Sequence, residues 1–305
     1  RFEPVPRKFL QDMGDALPRV SLQISIESHD AQVRQATGKS YSNQAVEQTI
    51  ADAMSLGCER LDLHFTIGLP HQDYNSVMAT VAYCDELLTE HGDNGRLQSF
   101  IAPIVPFLDP GSLAFEEPGR NGYHLQFQSL EEHRRALLAP TWKYVLNYNT
   151  KWMTGDDIVR ATYDVTVAMA RLRAKHGLIP GDNAEALEAL VNRTRGLMEM
   201  IERVVALEDI EQLEQTLRTL KPEIDEINTQ AASLTNCLGA PCRKYARRPS
   251  SSKRDSNSGH MPRVWGVFKN WWDRRHNSTE EASSEATETH LKRSDTGPRQ
   301  TGILS

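Results

Sequence analysis

Two runs in this chain alternate strictly between polar and apolar residues, and both present the same kind of polar face. In residues 20–27, Val20, Leu22, Ile24 and Ile26 fall on one side and Ser21, Gln23, Ser25 and Glu27 on the other. In residues 60–67, Leu61, Leu63, Phe65 and Ile67 oppose Asp62, His64 and Thr66. A period of two is the period of a β-strand. Parallel strands covered on both sides usually read as unbroken aliphatic runs, so strands that point several polar groups one way imply a face left open to water or ligand.

The intervening text supplies helices. Ser42 or Asn43 caps a helix running through Val46, Ile50, Ala53 and Met54 to a stop at Gly57, and a second helix over 74–91 buries Val77, Val81, Cys84, Leu87 and Leu88. A third strand is expected at 100–106, with prolines that suit an edge position, before the turn Asp109-Pro110-Gly111-Ser112. Strand, helix, strand, helix, strand is the pattern of βαβ units on a parallel sheet. Both a doubly wound sheet and a barrel satisfy it. The shared polar face favours an α/β fold in which residues 1–130 form part of a TIM-like (βα) barrel with a wet lumen, more open than the ordinary eight-stranded form.

Residues 131–180 read as a helical extension, with Glu131-Glu132-His133 leading one helix and Thr154-Gly155-Asp156-Asp157 capping a longer one. Two apolar stripes over 184–236 predict a helical hairpin. Residues 240–305 turn to Ser, Arg, Lys, Thr and Glu and are expected to be disordered. Within that tail, residues 262–275 combine four aromatic with four basic side chains, as a membrane-surface or partner-docking segment does.

Composition excludes several classes. The net charge of −6 is spread along the chain, which argues against nucleic acid as a partner. No apolar stretch is long enough for a transmembrane segment, and the chain reads as a cytoplasmic fragment. Cys58, Cys84, Cys237 and Cys242 match neither a disulfide framework nor a zinc pattern and are expected to be reduced structural thiols. In that compartment the sequons at Asn192 and Asn277 are chance matches. No His/Asp/Glu cluster or glycine-rich phosphate loop marks an ordinary metal-dependent or phosphate-binding barrel.

Ligands of parallel α/β folds meet the carboxyl ends of the strands, which directs attention to Ser25, Glu27, Thr66 and the turn Gly68-Leu69-Pro70. In order and spacing, residues 20–112 resemble the later strands of the radical S-adenosylmethionine (SAM) barrel. The matching text is Ile24-Ser-Ile-Glu-Ser28, Val33-Arg-Gln-Ala-Thr-Gly-Lys39-Ser-Tyr-Ser42, Leu61-Asp-Leu-His-Phe-Thr-Ile-Gly-Leu-Pro70 with Gln72 following, and Pro110-Gly-Ser112. The resemblance implies that Glu27, Lys39 and His64 contact the ribose and methionyl carboxylate of SAM, and that the backbone at Gly68, Leu69 and Pro70 lies against the adenine. Lys39 and His64 stand where the anaerobic haem-synthesis branch commonly has Arg and Asp. Gln23, Asp62 and Thr66 would face a substrate whose identity the sequence leaves open.

Each residue also has an ordinary reading. Glu27 can pair with a lysine at the sheet end, Lys39 can be a solvated surface charge, and His64 can be a satisfied structural histidine.

The family further implies a four-iron, four-sulfur cluster held by a CxxxCxxC loop, which this chain lacks. The expectation is therefore a fragment that supplies SAM-binding strands and is inactive alone. The cluster would cleave SAM reductively to a 5′-deoxyadenosyl radical. Glu132-His133, Trp142, Asn147-Tyr148 and Thr162-Tyr163 resemble the branch that carries an upstream cobalamin-binding domain, which brings in cobalamin as a second implied cofactor. The alternative is a non-catalytic barrel remnant that binds another protein through its helical hairpin and aromatic tail.

Overall fold

The computed structural model describes residues 3–92, 95–103 and 108–239. Three parallel strands, β1 (Ser21–Glu27), β2 (Arg60–Ile67) and β3 (Leu97–Pro103), form one sheet in the order β1-β2-β3. Before β1 comes α1 (Arg7–Ala16); between β1 and β2 run α2 (Ala31–Ala36) and α3 (Asn43–Ser55), and between β2 and β3 runs α4 (Tyr74–His91).

The two faces of the sheet divide as the alternation requires. Leu22, Ile24, Ile26, Leu61, Leu63, Phe65 and Ile67 are buried in one core with Val46 and Ile50 of α3 and Val77, Cys84 and Leu87 of α4. Each such side chain contributes about 1.5–3 kcal/mol on burial. A one-residue slip in register would expose the whole set and bury the polar one, so the apolar face decides which way the polar face looks. On that polar face Gln23 is exposed, and Ser25, Glu27, His64 and Thr66 are half-buried.

Local signals set the helix ends. The Ser42 hydroxyl accepts the amide of Ala45 at 3.1 Å, and Asp73 accepts that of Ser76 at 2.8 Å, each quenching an orphan amide of the first turn.

Beyond the sheet come α5 (Leu113–Glu116), β4 (Tyr123–Leu125), α6 (Leu130–Ala136), a 3-10 turn at Trp142–Val145, β5 (Tyr148–Thr150) and α7 (Gly155–Lys175). The capping box of α7, Thr154 with Asp157, is the one its sequence announces. Ile158, Val165, Met169 and Leu172 of α7 belong to the core beneath the sheet. The last pair, α8 (Gly181–Val205) and α9 (Ile210–Gly239), packs Leu187, Leu190, Leu197 and Ile201 against Leu217, Leu220, Ile224 and Ile227 as a helical hairpin with its own core.

The α/β class is shown, with a three-stranded parallel sheet that does not close into a barrel among the described residues. Two other expectations need correction. The third strand begins at Leu97, three residues before Phe100, because Leu97 pairs with Leu61 and Ser99 with Leu63. Residues 131–179 are not all helical: Tyr148–Thr150 pairs antiparallel with Tyr123–Leu125. Residues 104–106 of the expected strand, Cys242, the side chain of Cys237, the tail 240–305 and its aromatic segment 262–275 lie outside the described part. No described helix is long and apolar enough to cross a membrane.

Candidate functional site at the carboxyl ends of the strands

β1 ends in an irregularity. Its register with β2 moves from Ser25↔His64 to Glu27↔Phe65, and Glu27 has φ of +72°. A bulge of this kind re-aims a side chain, and a left-handed non-glycine residue costs of order 1–2 kcal/mol that its surroundings must offset. They do so through the carboxylate: Glu27 Oε1 accepts from Lys39 Nζ at 2.9 Å and Oε2 from Thr66 Oγ1 at 2.5 Å. Lys39 Nζ donates also to the Ser25 carbonyl at 2.5 Å, which Tyr41 OH approaches to 3.2 Å. The Lys39 and Glu27 side chains keep 17% and 23% of their exposure, so the pair is screened from water without being sealed.

The ordinary reading of Glu27 as the partner of a lysine at the sheet end is thus realised, and the lysine is Lys39 itself. Spare capacity remains on both. An ionised carboxylate offers about four lone-pair sites and an ammonium three donors. The hydrogen bonds just named use two on each residue.

Tyr41 stays a phenol, since burial foremost, with Glu3, pushes its pKa up to about 12. It can therefore donate to the Ser25 carbonyl at every ordinary pH. Tyr123 is pushed up too, by burial and then by Glu27.

His64 lies on the same face, opposite Ser25, and its ring stacks on Phe100 with centroids 5.4 Å apart at 19°. Thr66, two residues on, is the group of β2 that reaches Glu27.

The turn after β2 is held from within. The amides of Gly68 and Leu69 both donate to Gln72 Oε1, at 2.9 and 3.2 Å, and Gln72 Nε2 donates to the Thr66 carbonyl at 3.0 Å. Gln72 is 1% exposed, so these amides are committed internally. Gly68 has φ of +89°, and a Cβ there would lie 2.7 Å from Tyr148 OH. The close approach that this glycine allows is that of the Tyr148 ring. Pro70 is followed by His71, at φ of +63°, whose ring packs on Trp152 with centroids 4.3 Å apart.

Gln23 and Asp62 sit lower on the face and are engaged with neighbours. Asp62 accepts from Arg60 at 2.7 Å and from Gln23 at 3.5 Å. Nearby, Arg173 of α7 donates to Gln98 at 2.8 Å and lies over Phe100, and burial, with Arg60, lowers its pKa to about 10. The amino-terminal half of the polar face is a self-paired floor, and Glu27, Lys39 and Thr66 stand above it.

Sequence reasoning singled out neither Tyr41 nor Arg34. Arg34 is buried with Val33 in the short helix α2, between Gln32 and Gln35, and nothing in that local sequence announces it. Asn147, Trp142 and Glu132 make contacts within the chain. Asn147 bonds the Leu108 amide at 2.8 Å, Trp142 Nε1 donates to Tyr163 OH at 3.1 Å, and Glu132 closes the capping box of α6.

Cys58 and Cys84 are free and buried, with burial raising both thiols. No group of three His, Cys, Asp or Glu among the described residues could hold a metal ion. No family model and no curated protein matches the chain.

Proposed function

We propose that the carboxyl ends of β1 and β2 form a binding site for the adenosyl and methionyl parts of S-adenosylmethionine, in part of a radical SAM barrel. The observation that carries this reading is the convergence of Glu27, Lys39 and Thr66 at one point of the half-open polar face. The donor set suits the ligand. Glu27 has acceptor sites left for the vicinal hydroxyls of a ribose, and Lys39 has a donor left for a carboxylate. Ser25 contributes its carbonyl to the placement of Lys39, and His64 flanks the pair one row below. Gly68, Leu69 and Pro70 form a wall beside the site, with the amides of Gly68 and Leu69 held by Gln72.

Bound there, S-adenosylmethionine would supply a sulfonium; its reductive cleavage would require an electron from a donor that the described residues do not hold, so no cleavage step is assigned. The implied four-iron cluster does not fit the described residues, because Cys58 and Cys84 lie buried on separate elements, so no step is assigned to it. Cobalamin is implied by the resemblance alone, and no residue is assigned to it.

Equilibrium dialysis of the chain against radiolabelled S-adenosylmethionine tests the reading. Saturable binding displaced by S-adenosylhomocysteine supports it. Binding that is absent, or equally strong after Glu27→Ala, removes its basis and leaves the protein-interaction alternative.

A further inference from the structure

Glu27 and Lys39 are 12 residues apart, joined by a loop and the short helix α2, so something must fix their spacing. Arg34 occupies the centre of that segment and is 1% exposed. Its Nη1 donates to the carbonyls of Ser28 at 2.8 Å and His29 at 2.7 Å, the two residues directly after Glu27. Its Nε donates to the carbonyl of Tyr41 at 3.2 Å, two residues after Lys39. The Arg34 carbonyl in turn accepts the Lys39 amide at 2.9 Å and the Thr37 hydroxyl at 2.8 Å, across the left-handed turn at Gly38.

A guanidinium is a planar fork of five donors, able to hold several carbonyls in fixed relative positions. Burying such a cation is unfavourable unless its donors find partners, and here three backbone carbonyls take up Nη1 and Nε. No carboxylate is among those partners, so the arrangement serves the course of the chain.

We infer that Arg34 is a positioning residue, a buried clamp that ties the segment after Glu27 to the segment after Lys39 and so sets Lys39 Nζ on Glu27 and the Ser25 carbonyl. Its bearing on ligand binding rests on the function proposed above. The clamp itself can be tested without ligand.

The test is competitive lysine acetylation of the whole chain by limiting acetic anhydride, quantified by peptide mass spectrometry, in wild type, Arg34→Gln and Arg34→Lys. Lys8, 81% exposed, and Lys143, 25% exposed, are internal references. In the wild type Lys39 should react slowly. In both variants it should react at least about fivefold faster relative to Lys8 while Lys143 is unchanged, as a local opening requires. Lysine, a point charge without the fork, cannot hold all three carbonyls. Unchanged Lys39 reactivity would overturn the inference. So would an equal rise at Lys143 in both variants, because Arg34 would then support the whole fold. Failure of the chain to bind S-adenosylmethionine would count against the proposed function and leave this result standing.

Discussion

Lys39 Nζ lies 2.9 Å from Glu27 Oε1 and 2.5 Å from the carbonyl of Ser25, so one amine joins the last turn of β1 to the loop that leaves it. Thr66 brings β2 to the same carboxylate. Three segments thereby meet at one acceptor, whose side chain keeps 23% of its exposure.

The hydroxyl of Thr66 is the simplest part to remove. Thr66→Val keeps the shape and β-branching that the strand favours and takes away one donor from Glu27. A hydrogen bond to a charged group is worth about 1.5–3 kcal/mol, and partial exposure of Glu27 brings the expected loss to the lower end. Urea denaturation should show a stability decrease of about 1–1.5 kcal/mol with an unchanged m-value. No change would mean that Thr66 is solvated independently of Glu27.

Gly68 tests the wall beside the site. Gly68→Ala meets two costs, the left-handed φ of +89° and a Cβ 2.7 Å from Tyr148 OH. Together they should destabilise by roughly 2–4 kcal/mol. Adding Tyr148→Phe removes the hydroxyl and leaves the nearest ring carbon at 3.4 Å, so the double variant should recover the steric part only. The thermal melts of the single and double variants measure the division.

Cys84 reports on the core under the sheet. It is fully buried, and its thiol is pushed up to about 12 by burial. At pH 8 only about one thiol in ten thousand would be ionised even if a reagent reached it. Iodoacetamide should therefore label Cys84 in the folded chain only at the rate of unfolding, and promptly in denaturant. Peptide mass spectrometry at intervals checks this, and prompt labelling under native conditions would contradict the packing of α4.

Asp85 gives a dependence on pH. Its carboxyl is held below the ordinary value of 3.8 by hydrogen bonds from Lys175 at 2.6 Å and His176 at 2.6 Å, at the end of α7. A group whose pKa is lower in the folded state stabilises above its unfolded pKa, and the gain is lost as pH falls through the folded one. The group is exposed enough for solvent to screen much of the effect. Asp85→Asn should lower the melting temperature slightly at pH 6 and by less at pH 2.5, below the ordinary carboxyl value. An equal effect at both would remove the ion pair as the cause.

The parts legible in the sequence were those that periodicity controls. The alternation at 20–27 and 60–67 located β1 and β2 to within a residue, because each alternate side chain has one face to go to. Gly57 and Ser42 bounded α3 for equally local reasons. β3 was displaced because Gln98 and Ser99 look unlike a strand until Ser99 is seen under α4 and Gln98 beside Arg173. The ribbon of β4 and β5 has three residues a side, too short for a period, and depends on tertiary contacts with Tyr148. Glu27 was named from its place at the end of a strand, and Lys39 through resemblance. Their contact depends on Arg34 and Gly38, whose roles are set by burial and a left-handed turn that no spacing announces. The backbone at Gly68 and Leu69 was expected to lie against an adenine, and no spacing announced that Gln72, a few residues on, takes both amides.

The central claim is that Lys39 meets a ligand carboxylate while Glu27 holds the ribose. Isothermal titration of the chain with S-adenosylhomocysteine and with 5′-methylthioadenosine, which lacks the amino-acid part, separates the two contacts. The wild type should bind S-adenosylhomocysteine more tightly by roughly 10–100-fold, the worth of a charge-assisted contact, and Lys39→Met should bring the two ligands to similar affinity. Equal affinities in the wild type, or a preference that survives Lys39→Met, would contradict the account.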